Sequence, residues 1–168
     1  TQHVLPGRRL NRSSASNYDS HNDGSQRLTE TAVNFLANCH INTIISFNQY
    51  PYIHNEIVLL AKANVTYHHF SLQDHQSPTI YQAIDFHRFM PNASTPVHCG
   101  YSYGRTGTGI TALQLFATWG VQPVETHWMS INHVEERSQI LVLRQLHDRY
   151  RGKGDRGQYG DSDYKDEL

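Results

Sequence analysis

One strand–loop–helix unit constrains the fold of this chain more than any other part of its sequence. A short apolar strand over residues 95–98 turns through a loop that contains Gly100 and Gly104 and then enters an apolar helix over about residues 106–119. Gly120 follows as the C-terminal cap of that helix. A strand that passes directly into a helix is the repeating unit of α/β domains, in which helices cover a mainly parallel sheet.

The rest of the chain repeats this alternation of strands and helices. Apolar residues at helical spacing predict helices over residues 25–39, 53–63, 78–90, 124–131 and 134–150. Compact or alternating apolar runs predict strands over residues 43–47 and 65–70, and short apolar pieces at Val4-Leu5 and Leu10 predict edge strands. Ser77 and Pro78 suit the start of the 78–90 helix as N-cap and first helical residue. We therefore predict an α/β domain with a mainly parallel central sheet of four or five strands flanked by helices.

Length and composition predict one domain over residues 1–150. The chain has 168 residues, of which 38% are hydrophobic and 17% are charged, and this is enough for a single globular core. Residues 151–168 are rich in Gly and Asp and are predicted to form a flexible tail. The formal net charge of -1 gives no field that would attract nucleic acid. No apolar run is long enough to span a bilayer.

The cysteines and histidines predict neither a metal site nor a cofactor. Cys39 and Cys99 lack zinc-ligand spacing, although one disulfide between them remains open. The twelve histidines include no HExxH or comparable ligand pattern. We interpret most of them as surface or core histidines, with a metal site as the alternative.

The loop after the 95–98 strand has the residue types that phosphoryl transfer requires. It reads HCGYSYGRTG, from His98 to Gly107. Successive backbone N–H groups in such a loop form an anion-binding nest, and the N-terminus of the next helix adds its positive dipole end. Cys99 lies at the mouth of this nest, where its thiolate is stabilised, and Arg105 faces it with a fork that suits two phosphate oxygens. A thiolate, an anion cradle and a clamp together indicate phosphoryl transfer onto sulfur.

HCGYSYGRTG resembles the HCx5R[ST]G signature loop of the protein tyrosine and dual-specificity phosphatases. Upstream, the run DHQSP that begins at Asp74 resembles the acid loop of the compact dual-specificity and tensin-like members. The resemblance implies their three-layer fold and a cysteinyl-phosphate intermediate on Cys99. It also implies that Asp74 is the general acid that protonates the leaving oxygen, with a capping or turn aspartate as the alternative.

The same resemblance assigns roles to residues around the loop. Thr106 would ease the departure of the Cys99 sulfur when the phosphoenzyme is hydrolysed. His98 would orient the loop, with a buried structural histidine as the alternative. The remaining predicted substrate-binding residues are Gly100, Tyr101, Ser102, Tyr103, Gly104 and, after the acid, His75.

Three weaker matches extend the resemblance over about residues 4–150. They are RRLNRSS at residues 8–14, IISFN at residues 44–48 and VEERSQ at residues 134–139. The first two resemble strands of the compact members. In the third, the resemblance implies that Gln139 helps to place the hydrolytic water, and an exposed helix glutamine is the alternative.

The composition of the signature loop bears on the substrate. Tensin-type lipid phosphatases carry lysines inside this loop, whereas this chain has Tyr101, Ser102 and Tyr103. Aromatic side chains suit a phosphotyrosine ring better than a polyphosphorylated headgroup, although both tyrosines can also be packing residues. We therefore predict a phosphatase for phosphotyrosine or phosphoserine/threonine in proteins. A phosphoinositide or inositol-phosphate phosphatase and a non-catalytic phosphate-binding module are the alternatives.

The C-terminus carries a separate signal. The chain ends in KDEL, from Lys165 to Leu168, which is the address that the retrieval receptor of the endoplasmic reticulum reads. The prediction is a location in the lumen of the endoplasmic reticulum, with that receptor as a partner. An appended tag and a delivered bacterial protein that uses the address are the alternatives.

Overall fold

The computed structural model describes residues 3–73, 80–90 and 92–154. Its strands are β1 Arg9–Ser14, β2 Thr43–Ser46, β3 Thr66–His69 and β4 Ser94–Cys99. Its helices are α1 Glu30–Asn38, α2 His54–Lys62, α3 Ile80–Phe89, α4 Gly104–Ala117, α5 Glu125–Ser130 and α6 Arg137–Gly154. A short 3-10 helix, Asp23–Ser25, precedes α1.

The four strands form one parallel sheet in the order β1-β4-β2-β3. Strand β4 lies inside the sheet, so that Cys99 at its end is beside Ser14 of β1. On the other side of β4, His98 is beside Ser46 of β2. Because all strands run in one direction, the segments that leave them emerge at the same edge of the sheet, where ligands of parallel sheets bind. The predicted α/β class and parallel sheet are confirmed.

Successive side chains of a strand point to opposite faces, so the apolar residues of these strands lie on both faces of the sheet. Helices cover both faces. Ile44 packs with Val33 of α1 and Leu60 of α2 on one face. Its neighbour Ile45 belongs to the larger core on the other face, with residues of α3, α4, α5 and α6. The result is three layers, as the resemblance implied.

Helix α4 runs through the larger core and is buried over nearly its whole length. Its small residues allow this burial. A Cβ on Gly107 would lie 2.1 Å from the carbonyl oxygen of Asn132, and one on Gly109 would lie 2.2 Å from the Phe47 ring. The hydroxyls of Thr108 and Thr111 donate to the carbonyl oxygens four residues earlier, which satisfies them inside the core.

Several predicted boundaries are wrong for local reasons. Helix α1 begins at Glu30 instead of residue 25, because the Thr29 hydroxyl accepts a bond from the backbone N–H of Ala32 and caps the helix there. Val4 and Leu5 lie outside any strand. Helix α6 begins at Arg137 instead of residue 134 and continues to Gly154 instead of residue 150.

Other predictions fall outside the described residues. They concern the acid-loop residues Asp74 and His75, the helix start at Ser77 and Pro78, and the C-terminal KDEL. These stay predictions.

The disulfide that the sequence left open is not formed, because Cys39 is an exposed free thiol and Cys99 is a buried free thiol. Among the described helices, none combines the length and the apolar character needed to cross a membrane.

The contact between α4 and α6 predicts how the core responds to truncation. Leu113 of α4 is 2% exposed in the larger core, whereas Leu141 of α6 is 46% exposed. Leu113→Ala is expected to lower the free energy of unfolding by about 2–5 kcal/mol, because a buried cavity is created. Leu141→Ala is expected to change it by about 0.5 kcal/mol. Urea denaturation of both variants tests this, and equal losses would contradict the described packing.

Candidate active site

The Cys99 sulfur lies where β4 passes into the loop that precedes α4. The Thr106 hydroxyl donates a hydrogen bond to this sulfur over 3.1 Å. The carbonyl oxygen of Tyr103 is 3.7 Å from the same atom. Thr106 is itself fully buried, so its hydroxyl is held against the sulfur by the packing of α4.

The loop backbone is folded tightly around the start of α4. Ser102 adopts the left-handed conformation with φ of 83°, which is uncommon for a residue with a side chain and marks a sharp turn. The backbone N–H of Ala15 donates to the carbonyl of Gly100 over 2.9 Å and ties the loop to the end of β1. A Cβ on Gly100 would lie 2.4 Å from an Asp23 carboxylate oxygen and 2.9 Å from the Tyr18 ring. Only glycine fits at this position.

Arg105 lies in the first turn of α4 and is buried. Its Nη1 donates to Oδ2 of Asp23 over 2.7 Å, and its Nη2 donates to Oδ1 of the same carboxylate over 3.2 Å. The two groups therefore form a two-point ion pair, the geometry in which a planar guanidinium fits a carboxylate.

The same Nη1 reaches the segments that follow β2 and β3. It donates to the carbonyl of Phe47 over 3.2 Å and to that of Leu72 over 2.9 Å. Leu72 stands two residues before Asp74 in the chain. Arg105 thus holds the segment that leads to the sequence-predicted acid.

His98 precedes Cys99 at the end of β4. It is buried, its Nδ1 is 3.3 Å from the carbonyl oxygen of Cys99, and its ring lies 5.9 Å from that of Tyr52. Burial lowers the pKa of His98 to about 4. His98 is consequently neutral near pH 7 and contributes packing, not positive charge, to this site.

Gln139 of α6 is fully buried beside the loop. Its side-chain oxygen accepts bonds from the backbone N–H groups of Glu135 and Glu136, each over 3.2 Å, which fixes the amide at the start of α6. The Glu135 carboxylate comes so close to the loop that a Cβ on Gly104 would lie 2.5 Å from it. The sequence alternative of an exposed Gln139 is therefore wrong.

These groups enclose a pocket of about 210 Å³. Aromatic side chains form much of its rim, since the Tyr101 and Tyr103 rings meet edge to face at 5.1 Å and Tyr103 stacks on His133 at 4.6 Å. Within the described part of the chain, the pocket is lined by one cation and one carboxylate. The lining residues are Tyr18, Ser20, Cys99, Tyr101, Tyr103, Gly104, Arg105, Glu135 and Gln139.

The structure brings most of the sequence-predicted residues together. Cys99, Arg105 and Gln139 line one pocket, and Thr106 contacts the Cys99 sulfur. The loop residues Tyr101, Tyr103 and Gly104 line it as well, while Ser102 is buried in the turn. Asp74 and His75 lie outside the described residues.

Four residues around the pocket were missed by sequence reasoning. They are Tyr18, Ser20, Asp23 and Glu135. Glu135 belongs to the VEERSQ match that pointed to Gln139, and this match was the available signal for it. The others lie in a Ser- and Asn-rich stretch without a motif, so no sequence signal marked them.

The Thr106 contact predicts a defect in one step of turnover. Thr106→Ala is expected to lower kcat about tenfold, because a departing thiolate loses a hydrogen bond to charge. Thr106→Ser keeps the hydroxyl and is the matched control. With p-nitrophenyl phosphate, Thr106→Ala is expected to show a rapid burst of nitrophenol before a slow steady rate. Equal rates for the Ala and Ser variants would exclude this role.

Three solved structures of phosphatases are similar in fold to this chain. The structure of kinase associated phosphatase (KAP) with a Cys-to-Ser substitution of the catalytic cysteine has 16% identity and a TM-score of 0.66, covering 84% of this chain and 87% of that chain. Tk-PTP in its active form has 20% identity and a TM-score of 0.62, covering 84% and 92%. The catalytic domain of the PP-IP phosphatase SIW14 from S. cerevisiae has 12% identity and a TM-score of 0.59, covering 92% and 91%. Because these sequence identities are low, the similarity to the three structures shows a shared fold and nothing more specific.

A family model gives the more specific result. The model described as "Polymorphic toxin system, DSP-PTPase phosphatase" matches residues 20–118, which is more than half of the chain and includes the whole signature loop. No curated protein sequence matches this chain. The chain therefore belongs to the DSP-PTPase phosphatase family of polymorphic toxin systems, and it is a cysteine-dependent phosphatase of the protein-tyrosine-phosphatase superfamily.

Proposed function

We propose that this phosphatase acts on phosphorylated proteins, with phosphotyrosine as the preferred ester. Cys99 is the nucleophile, Arg105 the phosphate clamp and Asp74 the general acid. One observation carries the proposal: a single pocket holds the Cys99 sulfur and the Arg105 guanidinium beneath an aromatic rim.

In the first step, the Cys99 thiolate attacks the phosphorus atom of the ester. A sulfur–phosphorus bond forms as the bond from phosphorus to the ester oxygen breaks, and Asp74 gives its proton to that oxygen. Arg105 and the positive dipole end at the N-terminus of α4 balance the charge on the phosphoryl oxygens. The dephosphorylated hydroxyl then leaves.

In the second step, water hydrolyses the phosphocysteine. The Asp74 carboxylate takes a proton from the water, whose oxygen attacks phosphorus as the bond to sulfur breaks. The Thr106 hydroxyl, 3.1 Å from that sulfur, stabilises the returning thiolate. Gln139 lines the pocket with its amide fixed at the start of α6, which supports a role in placing the water.

The charge and shape of the pocket support a phosphoprotein substrate. A polyphosphorylated headgroup needs several cations, whereas Arg105 is the one cation among the described lining residues. Glu135 adds a negative charge beside the loop, which disfavours further phosphates. Tyr101, 57% exposed, and Tyr103 can flank the ring of a phosphotyrosine.

A substrate panel tests this proposal. Phosphate release is measured on four substrates: a phosphotyrosine peptide, a phosphothreonine peptide of matched sequence, inositol hexakisphosphate, and a phosphoinositide presented in vesicles. We expect kcat/KM to be at least about tenfold higher on the phosphotyrosine peptide than on the others.

The Cys99→Ser variant is the control and is expected to lose turnover, because a serine hydroxyl is a poor nucleophile here. Preference for the inositol or lipid substrate would refute the substrate class. No release from any ester would indicate a binding module.

The role of Asp74 is tested through the leaving group. Asp74→Asn is expected to slow a phosphotyrosine peptide about 100-fold, because the tyrosyl oxygen needs a proton as it leaves. The same variant should slow p-nitrophenyl phosphate much less, since nitrophenolate leaves unaided. Asp85→Asn on α3 is the matched control and should change neither rate. An equal loss on both substrates would show that the acid is a different residue.

A further inference from the structure

Arg12 of β1 is a half-buried cation that has no carboxylate partner. Its Nη2 donates to the backbone carbonyl of Asn132, and no ion pair joins it to an acidic side chain in the described part of the chain. Burial lowers the pKa of Arg12, while Cys99 and Tyr103 raise it when they are ionised. Since a buried charge without a counter-charge is unfavourable, an anion from solution would be stabilised beside this guanidinium.

Arg12 lines a second pocket, which has a volume of about 350 Å³. Part of the lining is apolar and consists of Ile110, Pro123 and Ile131. Two imidazoles, those of His3 and His127, add ring N–H groups that can bind an anion. Among the described residues, no acidic side chain lines this pocket. An apolar lining with a few polar groups and one cation is typical of a site for a small organic anion.

A carboxylate on an apolar body matches these groups. Its two oxygens fit two N–H groups of a guanidinium, and its single negative charge balances the charge of Arg12. The apolar body of the ligand would remove Ile110 and Ile131 from water. A phosphate dianion matches less well, because Arg12 is the one permanent cation among the described lining residues.

One short segment lies between this pocket and the catalytic pocket. Ile131 and Asn132 line the second pocket, whereas Glu135 lines the catalytic one. Between them in the chain, the His133 ring stacks on Tyr103 of the signature loop at 4.6 Å. A ligand that fixes residues 131 and 132 therefore also restricts the side chains beside the substrate.

We propose that the second pocket is an effector site for a small organic carboxylate, which Arg12 binds through its guanidinium. Binding there fixes residues 131–135 and lowers the KM of the phosphatase reaction. The site is separate from the phosphate site, and its occupation does not depend on which phosphate ester is the substrate.

Calorimetry with 3-phenylpropionate tests the binding site. Arg12→Gln is expected to weaken binding about tenfold, because charge-assisted hydrogen bonds are lost. Arg9→Gln replaces an exposed arginine of the same strand and is the matched control, with the affinity of the parent expected. Arg105→Lys should also bind like the parent. A loss in Arg105→Lys but not in Arg12→Gln would overturn the proposal, since the probe would then occupy the phosphate site.

Ile131→Glu guards against an Arg12 variant that does not fold. Ile131 is 57% exposed, so the change leaves the core intact, and the new carboxylate competes with the probe for Arg12. Met129→Glu is the matched control, because Met129 is 56% exposed and does not line the pocket. We expect about tenfold weaker binding in Ile131→Glu alone. Equal affinities in the two variants would refute the site.

Turnover of p-nitrophenyl phosphate tests the effect on catalysis. Rising concentrations of 3-phenylpropionate should lower KM about fivefold until the site is saturated, in the parent and in Met129→Glu but not in Ile131→Glu. A KM that rises in proportion to the probe would show competition at the phosphate site, and an unchanged KM would show no coupling. Either result would overturn the proposal. If the parent does not hydrolyse the ester at all, the phosphatase assignment and the effect on KM both fail, whereas calorimetry still decides whether the carboxylate binds.

Discussion

A buried guanidinium connects the separate parts of this protein. The side chain of Arg105, which follows β4, contacts residues from the segments that leave β1, β2 and β3, namely Asp23, Phe47 and Leu72. This convergence is possible because all four strands are parallel and end at the same edge of the sheet. Removing one partner of a buried ion pair costs about 3–5 kcal/mol, because the other charge is left without a counter-charge in the interior.

The helix that carries Arg105 provides the rigid base. Helix α4 lies in the larger core, and glycines allow it to approach Asn132 and Phe47 closely. Its first turn and the loop before it are thus held by the packing of a whole helix. The packing of α4 therefore also fixes the Thr106 hydroxyl against the Cys99 sulfur. A fixed donor at this atom suits a reaction in which the sulfur is first the nucleophile and then the leaving group.

Positive charge at this site comes from few sources. His98 is neutral near pH 7, because burial lowers its pKa to about 4. Among the described residues that line the pocket, the charge comes from Arg105, and the N-terminus of α4 supplements it. The Glu135 carboxylate, which lies close to Gly104 and lines the pocket, adds a negative charge that partly offsets this positive charge. This balance of charge is the main support for the proposed phosphotyrosine substrate over a polyphosphorylated ring.

Local sequence was sufficient for the parts of this protein that lie close together in the chain. Cys99, Arg105 and Thr106 belong to one strand–loop–helix unit, so their spacing alone indicated the site, and alternating apolar runs indicated the α/β sheet. Helix ends were predicted less well, because single capping contacts such as that of Thr29 determine them. Asp23 could not be found in this way, since it meets Arg105 from 82 positions away. Asp19 and Asp23 stand in the same polar stretch, and only the tertiary fold buries one against the guanidinium and leaves the other in solvent.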